Sequence, residues 1–446
     1  MNAVSNRAAQ LNLILNGPVL PVMLRLGLPV IAVIMAQTVV GVLETFWLSR
    51  LGTETLAGVS LVLPLFVLMA TMSNGGIGGG VSSAVARAAG AGDQAGCDAL
   101  LRHAIVIAIC FGLAFTVLLV ALAPVIYGAL GGTNDALSAA VIYSNWTFGG
   151  AILIWIVNLL SSAMRGAGEV RLPAIVTVSG AIILAPLSPL LIFGWGPVPA
   201  LGIAGAGLAV LIYYAGAALI FLRYLMSGKG VLTLRAGPLS ADRFRSILVV
   251  GLISAIGTLM ASLTVVIAVG AAGRFGTEVL AGFGVASRLD SLLIPLLFGL
   301  GTAVVTMTGT ATGAGRPERA REVAWKAGVA GLIGTGVIGL GAAFFPGAWT
   351  GIFTDDPAVQ AAGATYLSTV GLFYGAFGLG LMLYFANQGR GKMGWPFVAG
   401  LARLALTAGG AFAIAASGGS FFQICIAVSV GYAVFGLINA YGIWRG

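Results

Sequence analysis

Long apolar runs, separated by short polar or Pro/Gly-rich breaks, follow one another along the whole chain. A helix needs about 20 residues to cross a hydrocarbon layer of about 30 Å. Runs of that length predict membrane helices near 20–46, 56–86, 104–127, 138–163, 173–194 and 202–226, then near 244–271, 279–311, 327–350, 361–386, 396–416 and 421–443. The longest polar connection, between Met226 and Arg245, carries Lys229, Arg235, Arg243 and Arg245. It reads as a linker over 227–245 joining an N-lobe, 1–226, to a C-lobe, 246–446.

The two series are copies of one another. Arg50-Leu51-Gly52-Thr53-Glu54-Thr55-Leu56-Ala57-Gly58 returns 224 residues later as Arg274-Phe275-Gly276-Thr277-Glu278-Val279-Leu280-Ala281-Gly282. Gly90-Ala91-Gly92 returns as Gly313-Ala314-Gly315, and Gly166, Gly168 and Pro173 return as Gly389, Gly391 and Pro396, now 223 residues apart. A repeat at that period defines the architecture. Six crossings per copy is an even number, so both copies enter the membrane from the same side, the parallel kind of transporter repeat. The fold class is therefore an all-α polytopic membrane protein of twelve helices in two parallel six-helix repeats.

Composition removes the soluble alternatives. Of 446 residues, 59% are apolar and 8% charged, with mean hydropathy +1.05, where a soluble domain carries about 25% charged residues. A formal charge of +9 would raise the question of nucleic acid in a soluble chain, but in a membrane protein it reports orientation. Placing both termini in the cytoplasm sorts 19 of the 22 Lys/Arg to the inner ends and loops, leaving Arg50 and Arg274 outside and Arg288 within a helix. Cys97, Cys110 and Cys425 are scattered and odd in number, unlike a disulfide framework or metal ligands. The segment from Met1 to Pro18 is too polar for a signal-peptide core, so the first helix is expected to stay in the mature protein.

At this point the chain resembles the multidrug and toxic compound extrusion (MATE) family, in its bacterial branch. The resemblance is carried by Glu44-Thr45-Phe46-Trp47, Leu51-Gly52 with Leu56-Ala57-Gly58, Gly90-Ala91-Gly92-Asp93, Arg165-Gly166-Ala167-Gly168, Gly202-Ile203-Ala204-Gly205-Ala206-Gly207 and Ala286-Ser287-Arg288-Leu289-Asp290. It implies a V-shaped pair of lobes around a central cavity, in the bacterial inner membrane, exporting amphipathic, often cationic compounds in exchange for H⁺ or Na⁺. The expected partners are a small organic substrate and the lipid bilayer, without nucleic acid. The chain is expected to act as a monomer and to need no cofactor beyond the coupling ion. Two departures stand out. Some sodium-coupled relatives carry a glutamate in helix 7 and an aspartate in helix 10, where this chain has no acid, and the aspartate others place late in helix 5 corresponds to Ser188.

Only Glu44 and Asp290, of thirteen acids, fall inside apolar segments. A charged side chain there costs about 2.5 to 3.5 kcal/mol on insertion scales, which makes both functional candidates. At about 1.5 Å per residue, Asp290 lies roughly 16 Å below the start of its predicted helix and Glu44 roughly 12 Å from the loop at Gly52, so both are expected to line the cavity. The repeat pairs Glu44 with Ala268 and Asp290 with Phe66, so neither acid is duplicated. Low dielectric disfavours an ionised carboxyl, so a group that alternately meets water and apolar surroundings can load and unload a proton. Na⁺ wants several oxygens, and the first helix offers only Gln37 and Thr45 near Glu44. The expected coupling residues are Glu44 and Asp290, with H⁺ favoured over Na⁺. Gln37, Trp47, Phe66, Phe283, Arg288 and Tyr374 are the cavity candidates, the aromatics as faces for flat cations. A structural pairing of Asp290 with Arg288 is the plainer alternative, although residues two apart on a helix face different ways.

Other motifs carry less. The run Ser73-Asn74-Gly75-Gly76-Ile77-Gly78-Gly79-Gly80 lacks the Lys-Ser/Thr of a phosphate loop and reads as a packing seam or hinge. Asn145-Trp146-Thr147 is a glycosylation sequon placed inside a membrane helix. His103, the only histidine, falls at the inner end of helix 3 and reads as structural. Pro64, Pro186, Pro189 and Pro295 interrupt helices and suit bending. Nothing assembles into a catalytic constellation, so a secondary transporter is expected and not an enzyme. A lipid or lipid-linked precursor flippase is the alternative transporter reading, and an ion channel, with no filter-like loop to support it, is a third.

Overall fold

The computed structural model describes residues 3–445, which are helices and connections with no named strand. A leading helix, Ala3–Asn16, precedes the membrane helices. In the first copy these are α1 (Val19–Ser49), α2 (Thr53–Gly90), α3 (Gln94–Ala121), α4 (Asn134–Gly149 and Ala151–Gly166, bent by 47° at Gly150), α5 (Arg171–Phe193) and α6 (Ile203–Met226). In the second they are α7 (Ala241–Phe275), α8 (Thr277–Gly313), α9 (Pro317–Phe344), α10 (Pro357–Arg390), α11 (Gly394–Ala416) and α12 (Phe421–Arg445).

Several helices begin earlier than their apolar cores, because polar first turns are held by local bonds. Asp93 caps α3, its Oδ1 accepting from the Gly96 N–H at 2.7 Å. Asp356 caps α10, accepting from Ala358 N–H at 2.8 Å. In the first turns of α9, Glu322 bridges Arg319 at 2.9 Å and Lys326 at 2.7 Å, the helical spacings at which opposite charges meet. The predicted helix over 327–350 is cut at Phe344, because Pro346 disfavours helical backbone before it and starts a separate turn, Pro346–Thr350.

The change of repeat offset from 224 to 223 has a structural counterpart. α2 has 38 residues and α8 has 37, and α2 contains a π-helical turn at Met72–Gly76. A π turn takes one more residue than an α turn, so the extra residue is absorbed there and both flanks stay in register with α8. Its polar residues are used: Ser73 Oγ accepts from Asn158 Nδ2 at 2.7 Å and Asn74 Oδ1 from Arg165 Nη2 at 2.6 Å. The residue just before this turn, Thr71, corresponds to Pro295 in α8. A second π turn, Ala405–Gly409 in α11, ends at the position corresponding to Pro186 in α5. Each copy thus breaks its helical ladder at matching depths, by proline in one and by a π turn in the other.

Contacts divide the chain into two compact units. The first comprises the chain up to Gln10 together with Pro29–Gly251, and the second Leu11–Leu28 with Leu252–Gly446. In the first, α4 packs on α2, α3 and α6; in the second its counterpart α10 packs on α8, α9 and α12. The divisions fall inside helices, between Leu28 and Pro29 of α1 and between Gly251 and Leu252 of α7. Glycine at each crossing allows close approach: a Cβ on Gly27 would meet Leu300 Cδ2 at 3.0 Å, and one on Gly251 would meet Ile77 Cα at 3.0 Å. The stretch read as an inter-lobe linker stays with the first unit. Thr233 donates from N–H at 2.9 Å and from Oγ1 at 2.6 Å to Asp98, and Arg102 donates to Arg235 O at 3.0 Å. His103 is wholly buried, with Nε2 accepting from Ser240 N–H at 2.9 Å and Nδ1 against Ala99 O at 2.6 Å.

Candidate functional site

Glu44 sits one turn and a half before the end of α1, in the first unit. Its Oε1 is shut off from solvent and has no hydrogen-bond partner among the described residues. Tyr143 of α4 and Tyr214 of α6, both buried, lie within electrostatic reach of the carboxyl. One turn on, Trp47 sets its ring edge-on to Phe46 at 5.0 Å and to Phe193 at 6.3 Å, with Nε1 buried and unpartnered. Gln37, two turns before Glu44, lies against the Tyr213 hydroxyl together with Thr177. Phe66 packs against the apolar core of this unit.

Asp290 lies in the second unit, on the wall of a cavity of about 110 Å³. Phe283, Ser287, Asp290 and Ile294 all line it, a spacing that places them along one face of α8. Asp290 Oδ2 accepts from the Tyr366 hydroxyl at 2.6 Å and from the Tyr432 hydroxyl at 3.3 Å, while Oδ1 is buried without a partner. Tyr374 stands beside the same carboxyl. Arg403 of α11 also borders the cavity, its guanidinium 5.1 Å from the Tyr432 ring centre and 5.2 Å from that of Phe377. No salt bridge within 4 Å joins it to Asp290.

The two sites occupy equivalent places in the two copies. Ala268, the counterpart of Glu44, lines the Asp290 cavity. Tyr143 and Tyr366 are 223 residues apart, and Tyr214 and Tyr432 are each the twelfth residue of their helices. Each unit thus places tyrosines from its fourth and sixth helices around one half-buried carboxyl, the acid coming from α1 in one copy and from α8 in the other.

A model of the family described as MatE matches residues 29–190 and 252–412, one match in each copy. The chain belongs to the MatE family. It is accordingly a multi-pass membrane transporter and not an enzyme. This MatE chain is 27% identical to a protein named FAD transporter from Shewanella oneidensis, over 84% of its own length and 82% of the relative's. It is 30% identical to a probable multidrug resistance protein NorM from Deinococcus radiodurans, over 71% and 67%. Among solved structures, the outward-facing conformation of a multidrug resistance MATE family transporter shares the fold with TM-score 0.87 at 24% identity, with 97% of each chain covered.

Of the residues singled out in the MatE sequence, the structure gathers Phe283, Asp290 and Tyr374 in one unit and Gln37, Glu44, Trp47 and Phe66 in the other. Arg288 stands apart from the Asp290 cavity: it is exposed, with its guanidinium 5.1 Å from the Phe353 ring centre. Arg403 supplies the cation there instead. In the sequence Arg403 lies seven residues into the apolar run 396–416, a depth from which a long basic side chain can still reach for the interface, so it passed as an orientation signal. Tyr366 and Tyr432 give no local signal, but their pairing with Tyr143 and Tyr214 across the repeat would have flagged them.

Proposed function

We propose that this MatE protein is a secondary active exporter that exchanges amphipathic, often cationic organic compounds for H⁺ by alternating access, with Glu44 as the principal coupling residue and Asp290 as a second. Glu44 carries the reading: it is a membrane-helix carboxyl with one oxygen shut off from solvent, tyrosines nearby and no salt bridge among the described residues. Such a group gains a proton when surroundings dry and releases it when they wet. A positively charged substrate competing for the same carboxyl ties the two fluxes together. Na⁺ suits the site less well, because a hard cation wants several oxygens and α1 offers only Gln37 and Thr45 near Glu44.

The multidrug resistance names of the NorM relatives support the substrate class. The bias of Lys/Arg supports cytoplasmic termini, and bacterial relatives support an inner-membrane location, where the protein acts as a monomer. A second reading, export of flavin adenine dinucleotide, is favoured by the name of the Shewanella relative. In proteoliposomes an imposed pH gradient should drive efflux of an amphipathic cation, and Glu44→Gln should abolish uphill movement while leaving downhill exchange. Wild-type uphill rates in that variant would remove Glu44 from the mechanism. Loading the same liposomes with flavin adenine dinucleotide tests the second substrate.

A further inference from the structure

The two carboxyl–tyrosine sites differ at one pair of positions. In the first unit α5 has Gly180 and α6 has Tyr213, and a Cβ on Gly180 would run into the Tyr213 ring. At the corresponding positions of the second unit, α11 has Arg403 and α12 has Gly431. The bulk has moved from one helix to the other, and an aromatic ring has been exchanged for a guanidinium. The first site therefore holds an acid alone, whereas the second holds an acid and a base.

The base is left poorly satisfied. A guanidinium has five N–H donors and no acceptor, yet among the described residues Arg403 makes no salt bridge, and its Nε is buried without a hydrogen-bond partner. Its charge rests on ring faces, those of Phe377, Tyr432 and Phe435, the last at 5.7 Å. The acid is better provided for, since two tyrosine hydroxyls donate to its Oδ2. Thr407, carried on the π turn of α11, adds a buried, unpartnered Oγ1 to the same cavity wall.

We propose that this cavity in the second unit is an oxyanion site, in which the fork of Arg403 anchors a carboxylate or phosphate group of a small aromatic compound and Thr407 donates a further hydrogen bond. Guanidinium and oxyanion match in geometry and charge, and the neighbouring Phe377 and Tyr432 rings, stacked with centres 4.7 Å apart and planes 28° apart, form an apolar flank for a flat ligand. The group enters with a proton on Asp290, which removes the repulsion between two negative charges and leaves the acid as a donor. This assignment does not depend on which ion Glu44 couples.

The test is calorimetric binding to the full chain in nanodiscs, with benzoate, phenyl phosphate and benzylammonium as probes. Wild type should bind at least one of the two oxyanions, and Arg403→Gln should weaken that binding by about tenfold or more without weakening benzylammonium, the cation expected at Glu44. Benzoate alone marks a carboxylate site, and binding of phenyl phosphate extends it to phosphates. Asp290→Asn should bind the oxyanion as tightly as wild type or more so. Absence of oxyanion binding to wild type, wild-type oxyanion affinity in Arg403→Gln, or loss of oxyanion binding in Asp290→Asn would each overturn the proposal.

Discussion

Gly431 shows how tightly the second site is built around single atoms. A methyl group added there would collide with Thr407 Oγ1, and it lies within reach of the Arg403 stem. Overpacking of this kind costs about 1 to 3 kcal/mol. Gly431→Ala should therefore lower the melting temperature of the detergent-solubilised protein, whereas Gly284→Ala on α8, with open space around it, should not. Equal melting of the two variants would mean that α11 moves aside freely. Residues of this kind are invisible in a sequence, where Gly431 is one of 68 glycines. Glu44 and Asp290 were legible because an acid in an apolar run is costly, and therefore rare. Arg403 was not, because the long stem of a basic side chain can carry its charge to the interface from part-way down a helix. Comparing the two copies residue by residue recovers part of what composition hides, namely the tyrosines that recur and the guanidinium that does not.

At the scale of elements, the number and order of the membrane helices were legible from apolar runs, and the errors sit where polar turns extend a helix beyond its apolar core. α3 and α9 begin at Gln94 and Pro317, and their first turns are held by capping and ion pairs that a hydropathy reading passes over. The π turn of α2 was present in the sequence as a slip of one residue between repeat offsets, without a sign of where the extra residue went. Its location makes a prediction. Deleting one residue within 72–76 should convert the turn to ordinary helix without rotating its flanks, at the cost of the Ser73 and Asn74 hydrogen bonds. Deleting one residue within 81–85 should rotate a wholly buried face of α2 by about 100° and prevent assembly. Size-exclusion profiles of the two variants should differ accordingly; indistinguishable profiles would mean that the turn absorbs nothing.

For the whole molecule, the repeat told where the chain divides in sequence but not where it divides in space. The chain passes between units at Gln10/Leu11, Leu28/Pro29 and Gly251/Leu252, each time within a helix, and the polar stretch after α6 lies against α3 in the first unit. That stretch is consequently not the bond that keeps the halves in partnership. Each half lends the start of its first helix to the other, so a protein cut in two would still be interlocked by what has been exchanged. Fragments 1–234 and 235–446, expressed together, should copurify through a tag on either one and regain transport, and fragments that part on the column would show that the swapped helix starts hold too little.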